Sequence, residues 1–139
     1  MDTGHALHHE APSRPKIRAM LRQAGLRWIS SGHCTRRKNP HCTSFDGMRP
    51  TTLSGVLGLH DDSRCGVVIS GGTEAGHSPG AYSHGAGYKL DVLPSRCIDR
   101  YIRGHYRRVK TRGDGARLYR APSRALYARE RSHWDVLFM

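Results

Sequence analysis

Ser83-His84-Gly85-Ala86-Gly87-Tyr88-Lys89-Leu90-Asp91-Val92 runs from a polar, glycine-rich segment straight into a short apolar one. Residues 88–92 have strand character, whereas residues 71–87 are rich in Gly, Ser and His and hold too few apolar groups for a core element. The pattern predicts an exposed loop feeding a strand. Asp91 stands between Leu90 and Val92, and a carboxylate in an apolar strand is costly unless a strong partner meets it, either a metal ion or a buried Arg. His84 is flanked by Ser and Gly, where a core role is unattractive. The stretch thus offers a carboxylate on a rigid element and an imidazole on the loop leading to it.

Working outward, Gly66-Val67-Val68-Ile69-Ser70 reads as a buried central strand, and Ser95 caps a helix with Cys97, Ile98, Tyr101, Ile102 and His105 on one face. Arg112-Gly113-Asp114-Gly115 is a turn signal, and Leu118-Tyr119, Leu126-Tyr127-Ala128 and residues 134–138 read as short strands. Toward the amino terminus, Ser13 and Pro15 open an amphipathic helix carrying Ile17, Met20, Leu21 and Ala24, which Gly25 stops. Residues 26–29 suit a strand. Thr51 or Thr52 caps another helix with Leu53, Val56, Leu57 and His60, broken by Asp61-Asp62-Ser63. Helices early and strands late predict an α+β fold, one domain over residues 13–139 with a small antiparallel sheet flanked by helices. Residues 1–12, with His5, His8 and His9, read as a disordered tail.

The 139 residues suffice for one core, and a monomer is expected. Lys and Arg number 23 against 11 Asp and Glu, a formal charge of +12, which favours an anionic partner such as a bacterial wall polymer, an acidic glycan or nucleic acid. The excess Arg is scattered between residues 96 and 131, more like a solvated surface than a reading face. No segment approaches the roughly 20 apolar residues needed to span a bilayer, so a soluble chain is expected.

Cys34, Cys42, Cys65 and Cys97 contain no Cys-x-x-Cys pair, which argues against a zinc knuckle. Cys34 and Cys42 bracket a polar loop with little apolar content to hold it, and Cys65 precedes a strand while Cys97 lies in the following helix. Two bridges, Cys34–Cys42 and Cys65–Cys97, are expected, against the alternative of four buried thiols. The Arg36-Arg37-Lys38 run between the first pair reads as a solvated tip. Disulfides imply an oxidising, secreted or wall-associated location, yet residues 1–10 are polar and show no signal peptide.

Far downstream, Glu130-Arg131-Ser132-His133 supplies another imidazole and carboxylate. Catalytic Zn²⁺ typically takes three N/O ligands and leaves a fourth position to water, a count that His84, Asp91 and His133 meet. Glu130, three residues before a ligand, can then serve as general base without coordinating. His77, Gly80 and His84 repeat the same spacing and form a competing register. Its two ligands would both lie on a Gly-rich loop, less rigid than one anchored in a strand. In the preferred register Glu74 and His77 line the cleft or are plain loop residues, and Ser83 and Lys89 are further candidates for touching substrate.

These residues resemble the zinc D-alanyl-D-alanine carboxypeptidases and dipeptidases, which share a fold with lysostaphin-type endopeptidases and the Hedgehog signalling domain. The family pattern is Ser-x-His-x-x-Gly-x-Ala-x-Asp followed by a distant Glu-x-x-His. His84, Gly87 and Asp91 match the first part, Glu130 and His133 the second, and Trp134 follows as is common there. Ser83 adjoins the His instead of standing two positions before it, and Lys89 replaces the Ala. The resemblance covers roughly residues 66–138 and implies Zn²⁺ on His84, Asp91 and His133 at the sheet, Glu130 as base, and hydrolysis of an amide bond in peptidoglycan stem peptides. Exopeptidase members carry an Arg where this chain has Ser70-Gly71-Gly72-Thr73, leaving Arg64 or Lys89 to grip a terminal carboxylate, or an endopeptidase mode. The rival readings are a non-catalytic secreted zinc-binding domain and, more weakly supported, a basic nucleic-acid-binding protein.

Overall fold

Strand alternation around Asp91 organises the molecule. The computed structural model describes residues 14–139, so the expected tail and Ser13 lie outside the described residues. Among the described residues the helices are α1 (Arg14–Gln23), α2 (Pro50–Ser63) and α3 (Arg96–His105). The strands are β1 (Arg27–Trp28), β2 (Val68–Gly71), β3 (Lys89–Val92), β4 (Arg107–Thr111), β5 (Arg117–Arg120), β6 (Leu126–Arg129) and β7 (Trp134–Leu137). They form one 7-stranded sheet in the order β1-β2-β3-β7-β6-β5-β4. The α+β class is as expected, but the sheet is larger, and its β1–β2 pair is parallel.

On β3 and β7, Leu90, Val92, Trp134 and Val136 are fully buried. They join Val56 of α2 and Ile98 and Ile102 of α3 in a single core. Since successive side chains of a strand point to opposite faces, the intervening Lys89, Asp91, Asp135 and Leu137 turn away from that core, and all four line one cleft. The sheet is therefore apolar toward its helices and chemically armed on the other side.

Three local expectations are corrected. β4, Arg-Arg-Val-Lys-Thr, went unread because it is an edge strand exposed at four of its five positions, with no apolar alternation; charged edges resist pairing with other chains. Helix α2 starts at Pro50 after Arg49, uncapped by either Thr51 or Thr52; the Thr52 hydroxyl instead donates to Gly87 O at 2.7 Å. Its exposed Asp61 and Asp62 do not break it, and it ends where Arg64 turns left-handed with φ 60°. The loop before β3 is not wholly exposed either, because Thr73 and Glu74 are buried. Ser95 does cap α3, accepting from Ile98 N at 3.1 Å.

Both expected disulfides are present, Cys34–Cys42 and Cys65–Cys97. Among the described residues no helix is long and apolar enough to cross a membrane.

Candidate metal centre

Glu130 and His133 flank the Arg131-Ser132 turn joining β6 to β7, and Glu130 N donates to His133 O at 2.9 Å. The Glu-x-x-His spacing is thus a hairpin turn, whose flanking residues face each other across the ladder. Alternation carries the same face on to Asp135, which lies directly opposite Asp91 in the β3–β7 register. The carboxylate of Asp91 fits because its other neighbour across the ladder is Gly71, where a Cβ would come within 2.5 Å of Oδ2.

His84 is brought to these strands by its loop. Gly87, at φ +86°, approaches Gly47 so closely that a Cβ would lie 2.1 Å from the Gly47 carbonyl. Arg49 N and the Thr52 hydroxyl both donate to Gly87 O. On the other side of His84, Arg37 donates to Gly85 O at 2.7 Å, so Arg37 is a strut and not merely part of a solvated tip. The His84 ring donates from Nδ1 to Gly72 O at 3.1 Å, which aims Nε2 at the two aspartates.

Nε2 of His84 lies 3.2 Å from Asp91 Oδ1 and 3.3 Å from Asp135 Oδ1, and Nε2 of His133 lies 3.5 Å from the same Asp91 oxygen. Tetrahedral zinc with bonds of about 2.0–2.1 Å has ligand-to-ligand edges of about 3.3 Å. Asp91 Oδ1 and Asp135 Oδ1 are buried and make no well-aligned hydrogen bond, so what balances their charge there is the nearby imidazole of His84, joined at Asp91 by that of His133. Burial disfavours the charged form of His84, but Asp135 and Asp91 outweigh it and hold its pKa up at about 9. Burial likewise works against the Asp135 anion, and His84 and Lys89 overcome it, keeping that carboxyl well below its usual range. A proton on His84 thus occupies the place that a metal cation would take.

His77, His84 and Asp91 also form a group close enough to hold a metal ion. The rings of His77 and His84 are stacked, however, with centroids 3.8 Å apart and planes 12° from parallel. Imidazole lone pairs lie in the ring plane, so stacked rings direct them side by side instead of toward one point. His77 Nε2 is moreover 2.6 Å from Glu74 Oε2. His77 and His133 are thus rival third partners for His84 and Asp91: His77 completes a mutually close group, and His133 approaches Asp91 Oδ1 at 3.5 Å without stacking on His84.

A cleft of about 630 Å³ gathers His77, Ser83, His84, Lys89, Asp91, Glu130, His133 and Asp135. Ser83 accepts from Ala86 N at 3.2 Å and shapes the loop. Glu74, expected either to line the cleft or to be a plain loop residue, is buried and not among the cleft's lining residues; its Oε1 accepts from Ser44 N and Gly72 N. Burial raises the Glu74 pKa, yet His77 and these amides bring it below its ordinary value. Arg64 is the exposed cap of α2, outside the cleft lining.

Two residues went unread. Asp135 could have been found by the argument applied to Asp91, since it too is a carboxylate in an apolar strand, two positions beyond His133. Arg112 left no signal beyond its turn: it reaches Asp135 Oδ2 at 3.2 Å and Glu130 Oε2 at 2.9 Å because the β4–β5 and β6–β7 turns emerge at the same end of the sheet. Lys89 also meets Asp135 Oδ2, at 3.2 Å. Neither protein-family models, nor curated protein sequences, nor solved structures give a match to this chain.

Proposed function

We propose that this chain is a zinc peptidase that hydrolyses an amide bond in peptidoglycan stem peptides, with His84, Asp91 and His133 as ligands. The observation carrying the reading is one buried carboxylate oxygen, Asp91 Oδ1, approached at zinc-like edge lengths by the Nε2 atoms of two histidines beside an open cleft. Zn²⁺ held there would supply a Lewis acid that polarises the scissile carbonyl and acidifies water to near neutrality. Glu130 Oε1, 3.4 Å from His133 Nε2, is placed to take the water's proton and pass it to the leaving amine. Arg112 fixes the other oxygen of Glu130, and Lys89, which lines the cleft, would offer a positive charge to a carboxylate-bearing peptide. The two disulfides fit work outside the reducing cytosol.

The engagement of Glu130 by Arg112 also suits a second reading, a zinc-holding domain without hydrolysis. Metal analysis after exhaustive dialysis tests what the two share: one zinc per chain is expected, and folded protein that retains none refutes both. Glu130→Gln separates them. Zinc content and melting temperature should stay at wild-type values while release of new amino groups from wall peptides falls by a factor on the order of 10²–10⁴. Equal cleavage by wild type and variant would remove Glu130 as base.

A further inference from the structure

Successive hairpin turns of the β4–β7 meander alternate between its two ends, so the β5–β6 turn lies at the end away from the metal cleft. Arg107 and Arg120 are direct cross-strand partners there, and like charges facing each other across a ladder destabilise it. The turn adds Arg124, at φ 77°, whose carbonyl accepts from Arg120 Nη1 at 3.2 Å and folds that guanidinium back over the turn. His105, the last residue of α3, completes the wall, its Nδ1 donating to Tyr101 O at 3.0 Å. A pocket of about 620 Å³ results, and no Asp or Glu lines it. The carboxyl end of α3 favours nearby cations and offsets part of the repulsion. It supplies no counter-ion inside the pocket.

We infer that Arg107, Arg120, Arg124 and His105 form a receptor for a phosphate group, separate from the metal cleft and independent of the peptidase reading. Guanidinium forks match oxyanions in geometry and charge. One fork satisfies the two oxygens of a carboxylate, whereas three arriving from separate backbone positions suit the additional oxygens of a tetrahedral phosphate. A bound phosphate would also neutralise the Arg107–Arg120 repulsion, so occupancy and sheet stability are coupled.

Calorimetric titration of the full chain with inorganic phosphate, against acetate at equal ionic strength, tests this. Phosphate should bind more tightly than acetate and raise the melting temperature. The double variant Arg107→Gln/Arg120→Gln should weaken phosphate binding by about tenfold or more, as expected for loss of charge-assisted hydrogen bonds. It should fold at least as stably as wild type without phosphate, because the repulsion is gone. Arg27→Gln, at the exposed position of strand β1 on the opposite edge of the sheet, should bind as wild type. Asp91→Ala should also bind phosphate normally, which keeps this result separate from the fate of the metal site. Competition by glycerol 3-phosphate or by a poly(glycerol phosphate) oligomer then tells a terminal phosphate from a phosphodiester repeat, either of which supports the receptor. Acetate binding as tightly as phosphate, or an equal loss in Arg27→Gln, would overturn it in favour of bulk positive charge.

Discussion

Gly71 is the clearest case of a residue whose missing side chain serves the candidate site, since a Cβ there would strike the carboxylate of Asp91. Gly71→Ala is expected to weaken zinc binding by about 10–100-fold, the usual effect of disturbing a group that orients a ligand, with far-ultraviolet circular dichroism unchanged. His77 should behave differently. Stacked on His84 and bonded to Glu74, it can be replaced by Ala with metal content nearly unchanged, whereas His84→Ala, Asp91→Ala and His133→Ala should each empty the site on dialysis. A site emptied by His77→Ala but retained by His133→Ala would establish the other register. At this scale much was legible in the sequence, because a carboxylate amid Leu and Val, or a His amid Gly and Ser, already implies an unusual partner. Asp135 obeys the same logic, standing as a carboxylate between Trp134 and Val136 in an apolar strand.

Elements were legible to the extent that they bury something. Strands β3 and β7 and helix α3 announce themselves through apolar period and a capping Ser, whereas β4 buries almost nothing and is readable only from its partner β5. Arg112 depends on that same hairpin, so its place beside Glu130 and Asp135 follows from topology and not from any local pattern. The Cys34–Cys42 loop is a parallel instance. Its Arg37 looks like one more surface charge until the loop is folded against residues 75–85, where Arg37 O accepts from Ala75 N and its guanidinium holds Gly85 O. We expect Arg37→Ala to lower zinc affinity while changing the stability by less than about 1 kcal/mol, since an exposed side chain is removed from a site-bearing loop and not from the core. Parallel zinc titration and thermal melts would check this, and an unchanged affinity would return Arg37 to the surface.

For the whole molecule, the division of the sheet into an apolar and a charged face makes stability depend on what occupies the charged one. In metal-free protein, the His84 pKa rises from 6.5 to about 9, so its contribution is complete below pH 6.5 and is lost as pH climbs through 9. Asp135 is shifted downward from 3.8; its contribution is present above that value and lost as pH falls further. Metal-free protein should therefore melt highest between about pH 4 and 6.5 and soften toward pH 9, while zinc-loaded protein, with His84 held neutral, should not show the alkaline decline. Identical alkaline profiles for the two forms would mean that zinc does not replace the His84 proton. The Cys34–Cys42 ring has a different kind of consequence, one of sequence in time. Arg37 belongs to that ring and Gly85 to the loop of His84, so the strut between them is secure only after the ring has closed. A freshly made chain in a reducing compartment would build its sheet yet present a slack cradle, and oxidation would come before loading. On the proposed zinc site, closing the Cys34–Cys42 ring would then be a step that precedes metal loading, so the order of the two events is itself a property that the loop imposes.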